Sequence, residues 1–390
     1  MKRGALCCKR VLVAMSGGVD SSVAAYLLLG EGFDVSGVTM NLGIHDGSGN
    51  HDSCLNDGIK DAKAVCETLG IPHYIFDYSE ELEENVIKDF IDTYLEGKTP
   101  NPCIECNKVI KFGLLVEKAV LMGFDYFATG HYASIIVRSG DYYICKAADS
   151  TKDQSYFLYR IKKEKLPFIK FPLSDYKKEE VKKISQKIGL ELHEKKESQE
   201  ICFIKNKSYQ EFIKERLGGD FDSPGNILDV NGNVIGRHKG VAFYTIGQRK
   251  GFGISHERPL YVTAINVEKN EIVVGERSYL AKKGLIAGNL NWFTDEIPDR
   301  ALAKIRYNHE DVECTLSTLS GSDAADDVYN INNIEARDDI QNYKSNDEKI
   351  YVNFSVPQES VTPGQSVVFY DIYDSRVVLG GGTIIRGTDL

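Results

Sequence analysis

The sequence predicts an α/β fold, with a doubly wound parallel sheet first and one or two small β-rich domains after it. Over about the first 135 residues, buried strand patterns alternate with helix patterns, which is typical of a parallel sheet covered on both faces. From about residue 220, short strand patterns are separated by the turns SPGN, NGN, GFG and PGQ. The 390 residues, 42% apolar and 27% charged, are enough to bury several cores.

Four short apolar runs predict the strands of the first sheet, and a helical pattern stands between most of them. The strands are predicted at Arg10–Met15, Val35–Met40, Ile71–Tyr78 and Tyr126–Tyr132. The helices are predicted at Ser22–Leu29, Asp57–Leu69, Glu80–Leu95 and Lys108–Met122. Gly70 follows the second helix directly and is a typical helix end. Ligands of such sheets bind beyond the carboxyl ends of the strands.

The pattern changes after about residue 131. Ile135–Val137 and Tyr142–Cys145 are short strand patterns joined by a tight connection, and they predict a hairpin. A Lys-rich helix is predicted at Ser174–Ile188, and Gly189 ends it. The following segments carry the turn signals that predict the β-rich part of the chain.

Composition excludes several classes of protein. No apolar run approaches the roughly 18–20 residues that span a bilayer. Lys9 and Arg10 interrupt the apolar N-terminal stretch, so we expect neither a signal peptide nor a membrane anchor, and a cytoplasmic location. The nine cysteines are an odd number in a long chain and are expected to be free thiols in a reducing compartment.

Charge is unevenly distributed in a chain whose net charge is −10. Arg160 to Lys214 contains fifteen basic and nine acidic residues, a net of +6. Such a stretch either attracts a polyanion or forms a solvated helix surface, and charge alone does not distinguish the two. Glu310 to Lys349 contains three basic and eleven acidic residues, a net of −8, without sustained periodicity. Its acidic part, Ser320–Lys349, is predicted to be a loop excursion without an assigned role.

The sequence SGGVDSS, at residues 16–22, lies between the first predicted strand and the first predicted helix. Two glycines let the backbone approach an anion, and the free N–H groups and positive dipole end of the helix face the same point. A Gly/Ser turn with an N-cap serine is the simpler interpretation. The Walker A ending and the dinucleotide fingerprint are both absent. In this position the segment resembles the PP-loop of the N-type ATP pyrophosphatases, which cleave ATP to AMP and pyrophosphate.

Two cysteine motifs offer candidate reactive thiols. In TPNPCIECN, residues 99–107, two prolines predict an extended segment, with a helix beginning near Asn107–Lys108. A helix N-terminus favours a thiolate, so a lowered pKa is expected for Cys106. Cys202 lies in ESQEICFI, a short strand-like run. Structural zinc at Cys103 and Cys106, a thioredoxin-like redox pair and a core position for Cys202 are the alternatives.

The motifs occur in the order SGGVDSS, TPNPCIECNKVIKF, FATGHYA, KDQSYFL, ESQEICFI, TIGQRKG and TPGQSVVFY. Together they resemble the tRNA-specific 2-thiouridylases, the MnmA/TrmU family, from Val11 to about Gly382. The resemblance implies an adenine nucleotide α-hydrolase-like domain at 1–212, a small central β-rich domain at 213–282 and a C-terminal β-barrel at 283–390. It also implies an enzyme that uses ATP to replace the carbon-2 oxygen of the wobble uridine, position 34 of tRNA, with sulfur.

The resemblance assigns site residues wherever the motifs match. Cys106 matches the nucleophile, and Cys202 matches the cysteine that carries a persulfide. The residues expected to hold ATP are Ala14, Met15, Ser16, Gly17, Gly18, Val19, Asp20, Ser21, Met40 and Gly130. The residues expected to face the target base are Asn101, Pro102 and Cys103. The other tRNA-contacting positions are His131, Lys152, Asp153, Gln154, Arg306, Tyr307 and Gln365.

The implied reaction has two stages. The uracil carbonyl oxygen attacks the α-phosphorus of ATP, with loop amides and Mg²⁺ stabilising the departing pyrophosphate. A persulfide on Cys202 then attacks carbon 2, AMP leaves, and attack by Cys106 leaves a Cys106–Cys202 disulfide that a reductant resets. The expected partners are tRNA and a sulfur-donor protein such as a cysteine desulfurase or a sulfur carrier.

One departure from the family leaves the mechanism open. Some members have Asp where this chain has Cys103, and that Asp has been assigned acid/base work. Cys103 therefore serves either in proton transfer or as a third thiol, and three cysteines are able to ligate an iron–sulfur cluster. A PP-loop amide ligase and an RNA-binding protein with a relic nucleotide fold are the remaining alternatives. An amide ligase would not need paired cysteines, so the cysteine motifs disfavour it. An RNA-binding protein would not need an intact phosphate loop, so SGGVDSS disfavours that alternative.

Overall fold

The computed structural model describes residues 8–43, 54–190, 201–204, 207–218, 223–319 and 348–389. These form two compact units. The first comprises the chain up to Asp89 together with Pro102–Ser208 and Arg376–Val378. The second comprises Phe90–Asn101, Tyr209–Ser375 and Leu379–Leu390. The loop predicted for the acidic stretch lies almost entirely outside the described residues.

The first unit is built on a five-stranded parallel sheet. Its strands and the adjacent hairpin are β1 (Arg10–Ala14), β2 (Asp34–Asn41), β3 (His73–Asp77), β4 (Tyr126–Ala128), β5 (Ala133–Arg138), β6 (Asp141–Lys146) and β7 (Ile169–Lys170). The sheet order is β3-β2-β1-β4-β7, with every neighbouring pair parallel, while β5 and β6 pair as the predicted antiparallel hairpin. The predicted doubly wound parallel sheet is therefore confirmed.

Helices lie between these strands along the chain. They are α1 (Val19–Gly30), α2 (Cys54–Leu69), α3 (Ser79–Leu82), α4 (Lys88–Leu95), α5 (Pro102–Cys106), α6 (Leu115–Leu121) and α7 (Lys178–Lys187). A π-helical segment, Glu83–Ile87, joins α3 to α4, and another, Asn107–Leu114, joins α5 to α6. Among the helices described, none combines the length and the apolar character needed to cross a membrane.

Strand order fixes where a ligand of this sheet binds. From β1 the chain adds β2 and β3 on one side and later β4 and β7 on the other, so the order reverses between β1 and β4. Val11, Leu12 and Val13 of β1 are fully buried, as expected of a central strand packed on both faces. The crevice at such a reversal, beyond the carboxyl ends of the strands, is the usual ligand site. Here those ends lead into the phosphate loop and into Thr129–His131.

The second unit contains most of α4, a further helix and two β structures. Its other elements are α8 (Tyr209–Arg216), β8 (Gly225–Leu228), β9 (Val234–His238), β10 (Tyr261–Asn266), β11 (Glu271–Gly275), β12 (Ala281–Trp292), β13 (Arg300–Lys304), β14 (Val312–Leu319), β15 (Lys349–Glu359), β16 (Ser366–Tyr370) and β17 (Val378–Thr388). Four strands form a sheet in the order β10-β11-β8-β9, and six form a closed barrel in the order β12-β15-β14-β13-β16-β17. Closure leaves the barrel without a free edge strand, and the predicted C-terminal barrel is confirmed.

Two predicted boundaries differ from the structure for local reasons. The strand predicted at Tyr126–Tyr132 ends at Ala128, since the chain turns at Thr129 and Gly130 to meet the start of α1. The Lys-rich helix begins at Lys178 and not at Ser174. Before it, hydrogen-bonded turns occupy the backbone, and the N–H of Lys177 is capped by Glu180 Oε2 at 2.8 Å.

Candidate active site

The phosphate loop connects β1 to α1 at the carboxyl end of the sheet. Gly18, the N-cap of α1, has no side chain to cap the helix, so the first helical N–H groups face a potential ligand. The backbone N–H of Ser16 donates to Ser21 Oγ at 3.2 Å, and the two hydroxyls lie 3.2 Å apart. The hydroxyls of Ser21 and Ser22 donate to the Gly18 carbonyl at 3.1 and 2.8 Å. These bonds hold the loop curled around the helix N-terminus.

Two glycines allow the close backbone approaches at this loop. Gly17 has a φ of +75°, and a Cβ there would lie 2.6 Å from the Gly58 carbonyl oxygen. At Gly130, a Cβ would lie 2.7 Å from backbone atoms of both Asp20 and Ser21. Both positions therefore exclude any other residue. The carboxyl ends of β1 and β4 meet where the strand order predicts a ligand site.

The remaining residues predicted to hold ATP lie around the same end of the sheet. Ala14 ends β1, Val19 opens α1, and Met40 is half-buried near the end of β2. The Met15 side chain is buried in the core at 2% exposure, so this residue offers only its backbone to a ligand. The structure thus gathers the predicted set around one crevice.

Asp20 is fixed by a buried cation that we did not single out in the sequence. Lys178 Nζ lies 2.8 and 2.7 Å from the two carboxylate oxygens, and the Tyr132 hydroxyl donates to Oδ1 at 3.0 Å. Lys178 is only 8% exposed, and its ammonium lies 5.7 Å from the centroid of the Tyr132 ring. The ion pair ties α7 to the phosphate loop. Nothing in the local sequence distinguishes Lys178 from the other lysines of its helix.

The helix that carries the first cysteine motif begins earlier than predicted. It starts at Pro102, continues through the π-helical segment and ends at Leu121. Proline suits the first position of a helix because its missing N–H would have no intrahelical partner there. Cys106 therefore lies inside the helix. Burial raises its pKa, the neighbouring Cys103 adds to the rise, and the positive charge of Lys111 opposes it. The expectation of a lowered Cys106 pKa was wrong.

Cys202 lies in a turn and not in the predicted strand. The N–H of Ile204 donates to the Ile201 carbonyl at 2.9 Å, closing the turn around the exposed Cys202 side chain. The preceding residues, 197–200, lie outside the described part of the chain. Burial of the thiol raises the Cys202 pKa to about 11, although the residue as a whole is exposed. The charges of Cys106 and Cys103 raise it further, and that of Lys111 lowers it.

Three free thiols therefore lie within electrostatic reach of one another. Cys103 and Cys202 are exposed, and Cys106 is buried at 6% exposure. Lys111 provides a positive charge that acts on all three, and the sequence analysis did not identify it. Among the residues described, no three His, Cys, Asp or Glu side chains are placed to hold a metal ion.

Glu105 is committed to ion pairs and does not replace the missing carboxylate at residue 103. Its carboxylate pairs with the guanidinium of Arg160 and with Lys108 Nζ, the latter at 3.4 Å. A carboxylate shared between two cations strongly favours the ionised form. It is therefore poorly suited to deliver a proton at this site.

His131 follows β4 and is neutral at physiological pH. Burial lowers its pKa to about 3, and the positive charge of Lys111 contributes to the shift. Its Nδ1 lies 2.7 Å from the Thr129 hydroxyl, and its ring centroid lies 5.6 Å from that of Phe112. The uncharged His131 side chain is therefore suited to hydrogen bonding and to stacking of its ring against a ligand.

The KDQ motif holds a turn beside His131. Asp153 is buried, and its carboxylate accepts hydrogen bonds from the backbone N–H of Ala147 and from the N–H and hydroxyl of Ser155. Gln154 Oε1 accepts the N–H of Tyr132 at 2.9 Å. Lys152, which is half-buried, precedes these two residues. The polar atoms of Asp153 thus stabilise the turn.

Three other predicted tRNA residues, Arg306, Tyr307 and Gln365, belong to the second unit, and Gln365 contacts the segment that precedes Pro102. Gln365 Nε2 donates to the carbonyls of Thr99 and Pro100, both at 3.0 Å. Arg306 Nη2 donates to the Ser360 carbonyl at 2.9 Å and to Thr362 Oγ1. Asn101 and Tyr307 are half-buried members of this unit.

Comparison with known proteins agrees with this architecture. The family model described as "tRNA methyl transferase HUP domain" matches residues 9–206. Those described as "tRNA methyl transferase PRC-barrel domain" and "Aminomethyltransferase beta-barrel domain" match residues 210–276 and 336–384.

Curated relatives match nearly the whole chain, and three of them are named tRNA-specific 2-thiouridylase MnmA or MnmA 1. The protein from Syntrophus aciditrophicus is 45% identical over 96% of this chain and 92% of its own length. The protein from Carboxydothermus hydrogenoformans is 44% identical over 96% of this chain and 97% of its own length. The protein from Clostridium beijerinckii is 41% identical over 96% of this chain and 98% of its own length. With the phosphate loop, the parallel sheet and the closed barrel in place, the chain belongs to the tRNA-specific 2-thiouridylase family.

Proposed function

We propose that this protein catalyses ATP-dependent 2-thiolation of the wobble uridine, position 34, of tRNA. The observation that carries the proposal is the presence, within one unit, of a phosphate loop and of free thiols whose charges interact. Membership of the 2-thiouridylase family supports the same substrate and product. Chemically, the loop activates a carbonyl oxygen as a leaving group, and the thiols supply and release sulfur.

ATP is proposed to bind at the phosphate loop, with its phosphates at Ser16–Ser21. The exposed N–H groups of α1 and the loop hydroxyls suit the negative charge that develops on pyrophosphate. Gly130 and Met40 border the crevice where the adenosine would lie. The Asp20–Lys178 pair holds the loop in shape and keeps a positive charge beside the phosphates.

Magnesium is expected to accompany the phosphates, but the described residues provide no evident ligand set for it. Asp20, the acidic residue of the loop, is already paired with Lys178 and Tyr132. Within the described ranges, no group of three metal-binding side chains is present elsewhere. A magnesium ion would neutralise phosphate charge and be held chiefly by ATP itself.

Sulfur transfer is proposed to use the two thiols in different roles. Cys202, exposed on its turn, would accept sulfur from a donor protein such as a cysteine desulfurase or a sulfur carrier. The terminal sulfur of the persulfide attacks carbon 2 of the adenylated uridine. Cys106 attacks the Cys202 sulfur, the S–S bond breaks, and the electron pair left on the transferred sulfur expels AMP. An external dithiol supplies the two electrons and two protons that reduce the resulting disulfide.

The three-thiol arrangement favours the persulfide route over the cluster route. Cluster ligation needs all three sulfurs at one site. Over the described residues, Cys103, Cys106 and Cys202 do not form a group placed to hold a metal ion. Cys103 lies in the first turn of its helix and is exposed, which suits contact with the target base beside Asn101 and Pro102.

The thiols also separate this function from two others. An amide ligase would use the same adenylation but a nitrogen nucleophile, and it has no need of interacting cysteines. The family-model descriptions name a methyltransferase, yet the phosphate loop and the thiols correspond to nucleotide activation and sulfur transfer. The decisive test is mass spectrometry of tRNA nucleosides after incubation with ATP, a cysteine desulfurase and cysteine. We expect 2-thiouridine at position 34, and a methylated or amidated nucleoside in its place would overturn the proposal.

Binding of tRNA is predicted to depend on Lys152 and Arg306. Each lost phosphate contact should weaken affinity and reduce the slope of log affinity against log salt by roughly 0.7–0.9. Arg306 Nη2 also donates to the Ser360 carbonyl and to Thr362 Oγ1, so Arg306→Ala removes these bonds as well. Filter binding at several salt concentrations, with Lys60→Ala on the exposed surface of α2 as control, measures the effect. Unchanged affinity and slope in Lys152→Ala and Arg306→Ala would place tRNA elsewhere.

A further inference from the structure

Lys111 shares a helix with Cys103 and Cys106, and the π-helical segment determines which way it faces. In a regular α-helix, five residues advance about 500°, which would place Lys111 about 140° around the helix from Cys106. In the π-helical segment Asn107–Leu114, hydrogen bonds join residues five apart, so Lys111 lies over the turn that contains Cys106. π-Helical insertions are frequent at functional sites for this reason.

Lys111 is half-buried as a residue, and its side chain makes no ion pair or hydrogen bond with any residue that the structure describes. Other lysines of this helix are engaged. Lys108 pairs with Glu105, and Lys118 lies 5.7 Å from the centroid of the Phe76 ring. The ammonium therefore has no counter-charge among the described residues, and an anion that forms during the reaction would supply one.

Among the described residues, the charges that act on the Cys202 thiol are those of Cys106, Cys103 and Lys111, and those that act on the Cys106 thiol are Cys103 and Lys111. The neighbouring thiols disfavour ionisation of Cys202 and of Cys106, and burial disfavours it most. The His131 side chain faces the same cation and is neutral. The Glu105 carboxylate on the same helix is held by Arg160 and Lys108. Lys111 therefore opposes both the burial and the mutual repulsion of the thiols.

We propose that the Lys111 ammonium stabilises the sulfur anions of Cys106 and Cys202 during sulfur transfer. The inference rests on the proposed function in that these two thiols are taken to be the reacting ones. Lys111 would be a positioning residue that acts through these two thiols. Its positive charge would stabilise first the persulfide anion on Cys202 and then the Cys106 thiolate that attacks the Cys202 sulfur. No electron or proton is transferred to Lys111 in either step.

The test measures alkylation of each cysteine by iodoacetamide in the protein without ATP or tRNA. Peptide mass spectrometry follows Cys202, an exposed residue, from pH 6.5 to 9.5 in wild type, Lys111→Met and Lys111→Arg. Cys106 is about as buried as Cys314 and is not used as a reporter. Losing a nearby cation should raise a thiol pKa by about one unit and reduce the thiolate fraction about tenfold. The more basic thiolate is about threefold more nucleophilic, so the net rate should fall about threefold. Lys111→Arg should remain within about twofold of wild type.

Internal controls separate this effect from a change in folding. Cys8 is exposed on the described N-terminal strand region and should react equally in all variants. Cys66 and Cys314 are buried, and their alkylation would increase if the fold were disturbed. Lys118→Met removes the same charge from the exposed surface of the same helix and should not alter Cys202 reactivity.

A second measurement distinguishes a sulfur anion from a phosphate as the partner of Lys111. Lys111→Met should slow 2-thiouridine formation but leave tRNA-dependent pyrophosphate release within about twofold of wild type. Equal losses in both activities would assign Lys111 to the phosphates and overturn the inference. Unchanged alkylation in Lys111→Met would also overturn it, while thiolation by the wild type would still support the proposed function. Slower alkylation of Cys202 in Lys111→Met, in a protein that forms no thiouridine, would reject the proposed function and the role in sulfur transfer, and would leave only the effect of Lys111 on the Cys202 thiolate.

Discussion

Replacing Cys202 with serine is expected to abolish 2-thiouridine formation, by at least about 10³-fold, while leaving one round of tRNA-dependent pyrophosphate release. Serine cannot carry a persulfide, whereas adenylation of the uridine depends on the phosphate loop and precedes sulfur transfer. Quantification of 2-thiouridine by mass spectrometry and of pyrophosphate in a single turnover measures the two stages. Cys106→Ser should also lose thiolation, because the persulfide bond would then lack the thiolate that cleaves it.

A matched control is Cys314→Ser. Cys314 is buried in the second unit, its Sγ–H donates to the Ala301 carbonyl at 3.4 Å, and burial raises its pKa to about 12. A serine hydroxyl can make the same hydrogen bond, so thiolation should be retained. Retained thiolation in Cys202→Ser would contradict both the persulfide and the cluster mechanism.

Cys103→Asp distinguishes those two mechanisms. In the persulfide mechanism the variant should remain active, since the resemblance places Asp at this position in other members. In the cluster mechanism it should lose iron and activity together. Anaerobic purification of wild type and Cys103→Asp, followed by assays of iron, labile sulfide and thiolation, distinguishes the two mechanisms. Stoichiometric iron in wild type with an inactive Cys103→Asp enzyme would overturn the persulfide mechanism.

Gly130→Ala is expected to reduce tRNA-dependent pyrophosphate release by at least about 10²-fold, the range found when one stabilising donor is lost from an anionic transition state. The added Cβ would lie 2.7 Å from the backbone of Asp20 and of Ser21, which forces the start of α1 away from the loop. Gly17→Val should be at least as damaging, because Gly17 has a φ of +75° and its Cβ would meet the Gly58 carbonyl at 2.6 Å. Asp20→Ala should also abolish release, since it removes the partner of Lys178.

Gly30→Ala provides the control for these substitutions. Gly30 is the last residue of α1, and a Cβ there would have no atom within 4 Å. The same chemical change at the opposite end of the same helix should therefore leave pyrophosphate release unchanged. Wild-type release by Gly130→Ala or Asp20→Ala would contradict ATP binding at this loop.

Local sequence patterns were sufficient for much of the fold. Apolar runs such as Val11–Val13 lie in the middle of the sheet because a strand covered on both faces must be apolar on both faces. Helix and strand boundaries were less predictable where a residue type is compatible with both a helix and an extended segment. Pro102 was interpreted as part of an extended segment, yet it opens a helix, since proline is accepted at the first helical position. The Cys106 pKa prediction was wrong because burial of the thiol raises its pKa.

Long-range contacts determined the parts of the site that the sequence analysis missed. Asp20 and Lys178 are far apart in the chain, and only the packing of α7 brings them within 2.8 Å. Lys111 lies five residues after Cys106 in a π-helical segment, where hydrogen bonds join residues five apart, and residue spacing does not reveal a π-helix. Burial of the thiols likewise depends on all the segments around them, and burial sets their pKa values.

By itself, the sequence determined the parallel sheet, the β-rich second part of the chain and the phosphate loop between the first strand and the first helix, because these depend on local periodicity or on a contiguous motif. The order of the motifs indicated the 2-thiouridylase family, and that resemblance implied the C-terminal barrel. The tertiary structure alone decided which cation pairs with Asp20, that Glu105 is unavailable as an acid, and that Lys111 acts on three thiols. The physical reason is that charge interactions and desolvation depend on distance in space, and the fold sets those distances between residues remote in the chain.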